Sequence, residues 1–140
     1  TRSGLALRQG EAIAGVKIAI APGAASLRGR VAAKSEADAA APIPRLRLYL
    51  IPAEATAAED VQRYYESVTQ SDSTFKFLNL APGKYLLLAR PAAENELIDP
   101  DRPLAWDATE RAKLRREAES AKNEIELKPC GRVNDYVLRY

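Results

Sequence analysis

The stretch from residue 74 to 90, TFKFLNLAPGKYLLLAR, restricts the possible folds more than any other part of the chain. Phe75 and Phe77 flank Lys76 with a period of two, the signature of a strand with one buried face. Ala81-Pro82-Gly83 interrupts the run, since proline presets one turn dihedral and glycine is free to take positive φ. Residues 84–89 then form a nearly continuous apolar run, too short for a helix and bounded by turn residues. The unit reads as a β-hairpin or as a corner between two sheets, and its second strand reads as central.

Short strands recur on both sides of it. Residues 27–32 (LRGRVA) read as a strand whose interior Gly29 predicts a bulge or a close backbone approach. Residues 34–41 read as a loop. Residues 45–50 (RLRLYL) alternate most cleanly, with Leu46, Leu48 and Leu50 toward the core and Arg45, Arg47 and Tyr49 outward. Residues 52–60 read as a loop with room for one helical turn, residues 61–69 as a strand by their Val, Tyr and Thr content, and residues 70–73 as a turn. After a polar loop, Asp107 has the character of an N-cap, and Glu110 three residues on completes a capping box for a helix over 108–121. The apolar stripe of that helix is narrow, Leu114, Ala118 and Ala121. Arg115 and Arg116 are spaced to pair with Glu119, so the helix is expected on the surface, seated by Trp106. Residues 123–128 and 135–140 return to strand, the last with Tyr136, Leu138 and Tyr140 on one face. Many short strands and one late helix predict an all-β sandwich of about seven strands with an inserted surface helix near residues 107–121.

Residues 16–20 (VKIAI) alternate like a strand and end in Pro22-Gly23, and residues 125–131 repeat that shape before Pro129-Cys130-Gly131. The echo divides the chain into a leading strand in 1–22, the tail of a preceding similar module, and a sandwich domain in 23–140. Two ordinary strands that end in turn residues are the alternative.

Composition narrows the function classes. The chain of 140 residues fits one domain, since domains cluster near ~100–150 residues. It is 46% hydrophobic, but with only two Phe and one Trp its core must rest on Leu, Ile, Val and Tyr. Its 21 basic and 19 acidic residues are interspersed and leave a net charge of +2, which argues against a nucleic-acid partner. No apolar run approaches the ~20 residues that span a bilayer, so membrane insertion is not expected. With no His, the Ser-His-Asp and Cys-His arrangements and most zinc sites are removed together. Cys130, the one cysteine, has no imidazole to activate it and reads as a small buried hydrophobe. The carboxylate pairs Glu59/Asp60, Glu94/Glu96 and Asp99/Asp101 read as solvated loop acids, and the seven glycines are scattered rather than gathered into a phosphate loop. No catalytic residue, metal or cofactor is expected.

The runs Ser26-Leu27-Arg28-Gly29-Arg30-Val31, Pro42-Ile43-Pro44 followed by residues 45–50, and residues 68–85 ending in Leu80-Ala81-Pro82-Gly83-Lys84-Tyr85 resemble the carboxypeptidase regulatory-like group. The resemblance covers about residues 24–91 and is best in the Pro-Gly corner. Where the family prefers Gly in the turn before its aromatic residue, this chain has Ser73-Thr74. The resemblance implies a transthyretin-like, Ig-like Greek-key sandwich. It also implies a non-catalytic accessory module of a larger secreted, periplasmic or envelope protein of bacteria, a spacer or a protein-interaction domain. Its partners are then a protein or neighbouring domains of the same chain.

Tyr49, Tyr64, Tyr65 and Trp106 are the aromatics expected nearest the surface, and they define the candidate ligand-binding set. Exposed rings stack on sugars, so a carbohydrate-binding module is the alternative function. The opposing assignment has Trp106 seating the helix and the tyrosines covering strand edges.

Overall fold

The structure is a computed structural model that describes residues 6–17, 22–35, 42–92 and 107–140. Among these residues seven strands form two sheets: β1 (Ala25–Ala32), β2 (Leu46–Pro52), β3 (Tyr65–Val68), β4 (Thr74–Leu80), β5 (Gly83–Pro91), β6 (Glu124–Leu127) and β7 (Arg132–Arg139), with one α-helix, α1 (Ala108–Ala121), between β5 and β6. One sheet has the order β4-β1-β7 and the other β3-β2-β5-β6. The all-β sandwich with an inserted helix is therefore the observed architecture.

Leu27 and Val31 of β1, Phe75 and Phe77 of β4, and Leu138 of β7 meet Leu46, Leu48 and Leu50 of β2 and Tyr85 and Leu87 of β5 in the core between the sheets. The Pro-Gly unit is a corner, not a hairpin: β4 lies in one sheet and β5 in the other. β5 is central, as its apolar run predicts, and is buried on both faces.

The alternation of β2 misleads about its second face. Tyr49 and Ile51 point away from the main core yet are 5% and 0% exposed, because α1 lies across that side of the sheet. With Leu86 and Leu88 of β5 they pack against Leu114 and Ala118 of α1, which makes a third layer and a second small core. Tyr49 as an outward residue is thus corrected. The helix has the bounds that its sequence predicts, and Asp107 Oδ1 accepts from the N–H groups of Thr109 at 2.7 Å and Glu110 at 3.1 Å. Its buried stripe is Arg111, Leu114 and Ala118, while Ala121 is exposed. Arg115 pairs with Glu119 at 3.0 Å and donates to the carbonyls of Pro52 and Ala53, both at 2.7 Å, which ties α1 to the end of β2.

Two further expectations change. Residues 61–63 form a 3-10 turn capped by Asp60, and the strand begins only at Tyr65. Val16 and Lys17 lie outside any strand and are exposed, since no neighbouring strand pairs with them; residues 18–20 lie outside the described residues.

β1 is flanked by two bulges that decide what its sheet presents. Leu78 and Asn79 of β4 oppose Ser26, with Asn79 at φ 56°, and Asn134 and Asp135 of β7 oppose Arg28. Between them sits Gly29, where an added Cβ would lie 2.3 Å from the Tyr136 carbonyl oxygen and 2.8 Å from the Phe75 ring. The close approach predicted at Gly29 is present. At the far end of β4 the turn needs positive φ from Ser73, at 62°. Asp72 steadies it by accepting from the Thr74 N–H at 3.0 Å and the Thr74 hydroxyl at 2.6 Å, contacts that hold the Asp72 carboxyl below its ordinary range.

Candidate interaction face

The described members of the predicted aromatic set do not share a platform. Tyr49 lies beneath α1, with the Arg90 guanidinium carbon 5.5 Å from its ring centroid and Arg90 held in turn by Glu117 at 2.7 Å. Tyr64 is half-buried against the same small core and donates its hydroxyl to the Ala58 carbonyl at 2.8 Å; burial pushes its phenol above the ordinary range. Tyr65, the next residue, packs on the opposite side against the main core. Trp106 lies outside the described residues. Glu59 is bound to Arg111 at 2.7 Å and Asp60 caps a turn, while Glu94, Glu96, Asp99 and Asp101 lie outside the described residues. Among the described residues no group of three or more metal-ligating side chains comes together. Cys130 is exposed in a turn at φ 56°, which corrects its reading as a buried hydrophobe: the turn's geometry, not the apolar character of the thiol, sets its position.

Two polar constellations remain. The first clamps the Pro-Gly corner. Arg63 donates to the Tyr85 hydroxyl and the Pro82 carbonyl, both at 3.3 Å, and pairs with Glu54 at 3.1 Å. Glu54 accepts from the Lys84 N–H at 3.0 Å, the Tyr85 hydroxyl donates to the Ala81 carbonyl at 2.7 Å, and the Ala81 N–H donates to the Tyr65 hydroxyl at 2.9 Å. Burial pushes the Tyr85 phenol up to about 12 against the opposing pull of Arg63, so it remains a donor. Burial also disfavours the Glu54 carboxylate, but its bonds to the Lys84 amide and Arg63 prevail and hold it below the ordinary range. Gly83 is favoured here by its backbone, at φ 145°, a conformation that residues with a side chain rarely adopt, and a Cβ would also displace the Arg63 guanidinium from the clamp. Each of these groups is spent on fastening backbone, which makes the clamp structural.

The second constellation covers the outer face of the β4-β1-β7 sheet. Arg28 and Arg30 of β1, Lys76 of β4, and Arg132 and Arg139 of β7 are all exposed there. Among the described residues two acids border this face: Asp135 in the β7 bulge, and Asp72, whose carboxylate accepts from the hydroxyl of Thr74 opposite Arg30. Arg28 stands directly opposite Lys76 across the antiparallel pair, an arrangement that destabilises a sheet. None of Arg28, Arg30, Lys76 and Arg132 forms an ion pair among the described residues. The other sheet behaves in the opposite way: Arg47 pairs with Glu66 at 3.3 Å, Lys84 with Glu124 at 4.0 Å and Arg90 with Glu117.

Leu78 and Val137, 47% and 38% exposed, are the large apolar residues on the basic face. Two shallow depressions of about 350 and 360 Å³ share Gly29, Thr74 and Asn134, the first beside Arg30 and the second beside Arg28 and Lys76. Helix α1 packs on β2 and β5 and so leaves this face uncovered. The even distribution of charge along the sequence conceals this clustering. The local signal is that each outward position of residues 28–30 and 75–77 is basic.

No helix among the described residues is long and apolar enough to cross a membrane. Comparison with protein-family models, with curated proteins and with solved structures finds no match to this chain.

Proposed function

We propose that this chain is a non-catalytic β-sandwich module of the carboxypeptidase regulatory-like kind, carried by a larger exported bacterial protein. It serves there as a protein-interaction domain that engages its partner through the outer face of β4-β1-β7. The observation that carries this reading is the contrast between the sheets. One has its second face buried under α1 and its charges paired, while the other presents a row of cations that form no ion pair among the described residues. A sheet selected only for solubility gains nothing from Arg28 opposite Lys76. The interaction reading is favoured over a bare spacer because a spacer needs no uncompensated face.

The test is site-specific photo-crosslinking in cells that produce the full-length protein, from Val137 on the open face and from Lys113 on α1. A discrete adduct from Val137, lost on reversing Arg28 and Arg30 to Glu and absent from Lys113, is the expected outcome. Its mass separates a neighbouring domain of the same chain from a second protein. Equal labelling from both positions, or none from Val137, rejects the reading.

A further inference from the structure

We propose, building on the assignment of the β4-β1-β7 face as the interaction surface, that its ligand is an extended acidic peptide segment of a protein partner. The segment lies along β1 with carboxylates at alternate positions.

The argument is one of period. The outward residues of β1 are 26, 28, 30 and 32, so successive levels along the strand are about 6.8 Å apart. Each level carries a cation. Arg132 stands opposite Ser26, Arg28 and Lys76 face one another, Arg30 occupies the third level, and Arg139 stands opposite Ala32. The flanking strands are each about 4.8 Å from β1, a gap that long Arg and Lys side chains bridge easily. An extended peptide repeats its same-face side chains at the same ~6.8 Å. Glu or Asp at every second residue therefore sets one carboxylate at each level, where the Arg forks offer paired N–H donors.

The remaining surface suits the same ligand. The two depressions are shallow and joined, a shape for successive short side chains rather than for one enclosed small molecule. Thr74 and Asn134 line both and supply polar groups between the cations, while exposed Leu78 and Val137 supply apolar contact near the margins. A single-stranded nucleic acid is also a linear polyanion, but its sites combine cations with stacking rings. On these strands Phe75, Phe77 and Tyr136 pack with the core. Phe75 and Tyr136 border the depressions but are buried and partly buried, so among the described residues these strands present no fully exposed ring for a base to stack on.

The experiment titrates the whole 140-residue chain by fluorescence anisotropy with octapeptides of equal charge, one alternating Glu and Ser and one with its four Glu in a block. Oligo(dT) and a sulfated polysaccharide of matched charge serve as further probes. The expected result is binding of the alternating peptide about threefold tighter than the block peptide, and about tenfold weaker binding in the Arg28→Glu/Arg30→Glu chain. Lys113→Glu/Arg116→Glu on α1 leaves it unchanged, and circular dichroism verifies that each variant is folded. Equal affinity for the two peptides, tighter binding of oligo(dT) or polysaccharide than of the alternating peptide, or no peptide binding overturns the proposal. If the Val137 crosslink forms while the peptides fail, only the ligand class falls; if both fail, the interaction reading falls with it.

Discussion

Gly29 is the residue on which the β4-β1-β7 sheet closes. Its backbone has no unusual φ, so the demand is for space alone: Tyr136 and Phe75 occupy the volume a side chain would need. Gly29→Ala is expected to cost about 1–3 kcal/mol through overpacking, read as a lower urea midpoint at unchanged slope. An unchanged midpoint would refute the contact. This position was legible in the sequence, because a glycine inside a strand pattern marks a bulge or a neighbour too close for a side chain. Cys130 was not legible. Cysteine is among the most often buried residue types, yet here a turn at positive φ places it in solvent, and that turn is set by the chain reversal between β6 and β7. Tyr49 failed for a related reason: alternation reports the face of a strand on which a residue lies, not whether another layer covers that face.

At the scale of elements, helix α1 shows how far local signals reach. Its start and end follow from Asp107 and from the residues after it, and both are where the sequence places them. Its docking depends on Tyr49, Ile51, Leu86 and Leu88, which lie in distant strands, and on Arg111 and Arg115, whose long side chains reach sheet-side partners while lying along apolar surface. The Asp107 cap gives a pH-dependent test. The N–H bonds from Glu110 and Thr109 hold its carboxyl below the ordinary value of 3.8. A depressed folded pKa stabilises the helix above the unfolded value, and that contribution is lost as pH falls below 3.8 through the folded pKa. Amide-exchange protection of residues 109–112 should therefore drop with acid in the wild type. Asp107→Asn, still a good cap, should keep neutral-pH protection and flatten the acid drop, and Asp107→Ala should lose protection already at neutral pH. Wild-type protection in the Ala variant would contradict this account.

For the whole molecule, the fold was largely readable from strand periodicity and turn residues, and the basic face was not. Arg28, Lys76 and Arg132 are far apart in sequence and interspersed with acids, and only the register of β4-β1-β7 sets them side by side. The same register predicts a conflict between stability and binding. Lys76→Glu replaces a like-charge pair with a complementary one and is expected to stabilise the fold by about 0.2–1 kcal/mol in urea titration while weakening the alternating acidic peptide. A variant that loses stability, or that binds as before, would break the link between the two. The parallel pairing of β1 with β7 has a further consequence in time. Arg139 donates to the Ala33 carbonyl across 106 positions of sequence, so this pairing closes one of the longest loops in the domain. Contacts of such long range are entropically costly to nucleate and slow the folding of sheet proteins. The strip of cations needs β4, β1 and β7 together, so it does not exist on a nascent chain until β7 has left the ribosome. On the proposed reading, synthesis itself delays the first encounter with an acidic partner until the domain is able to close.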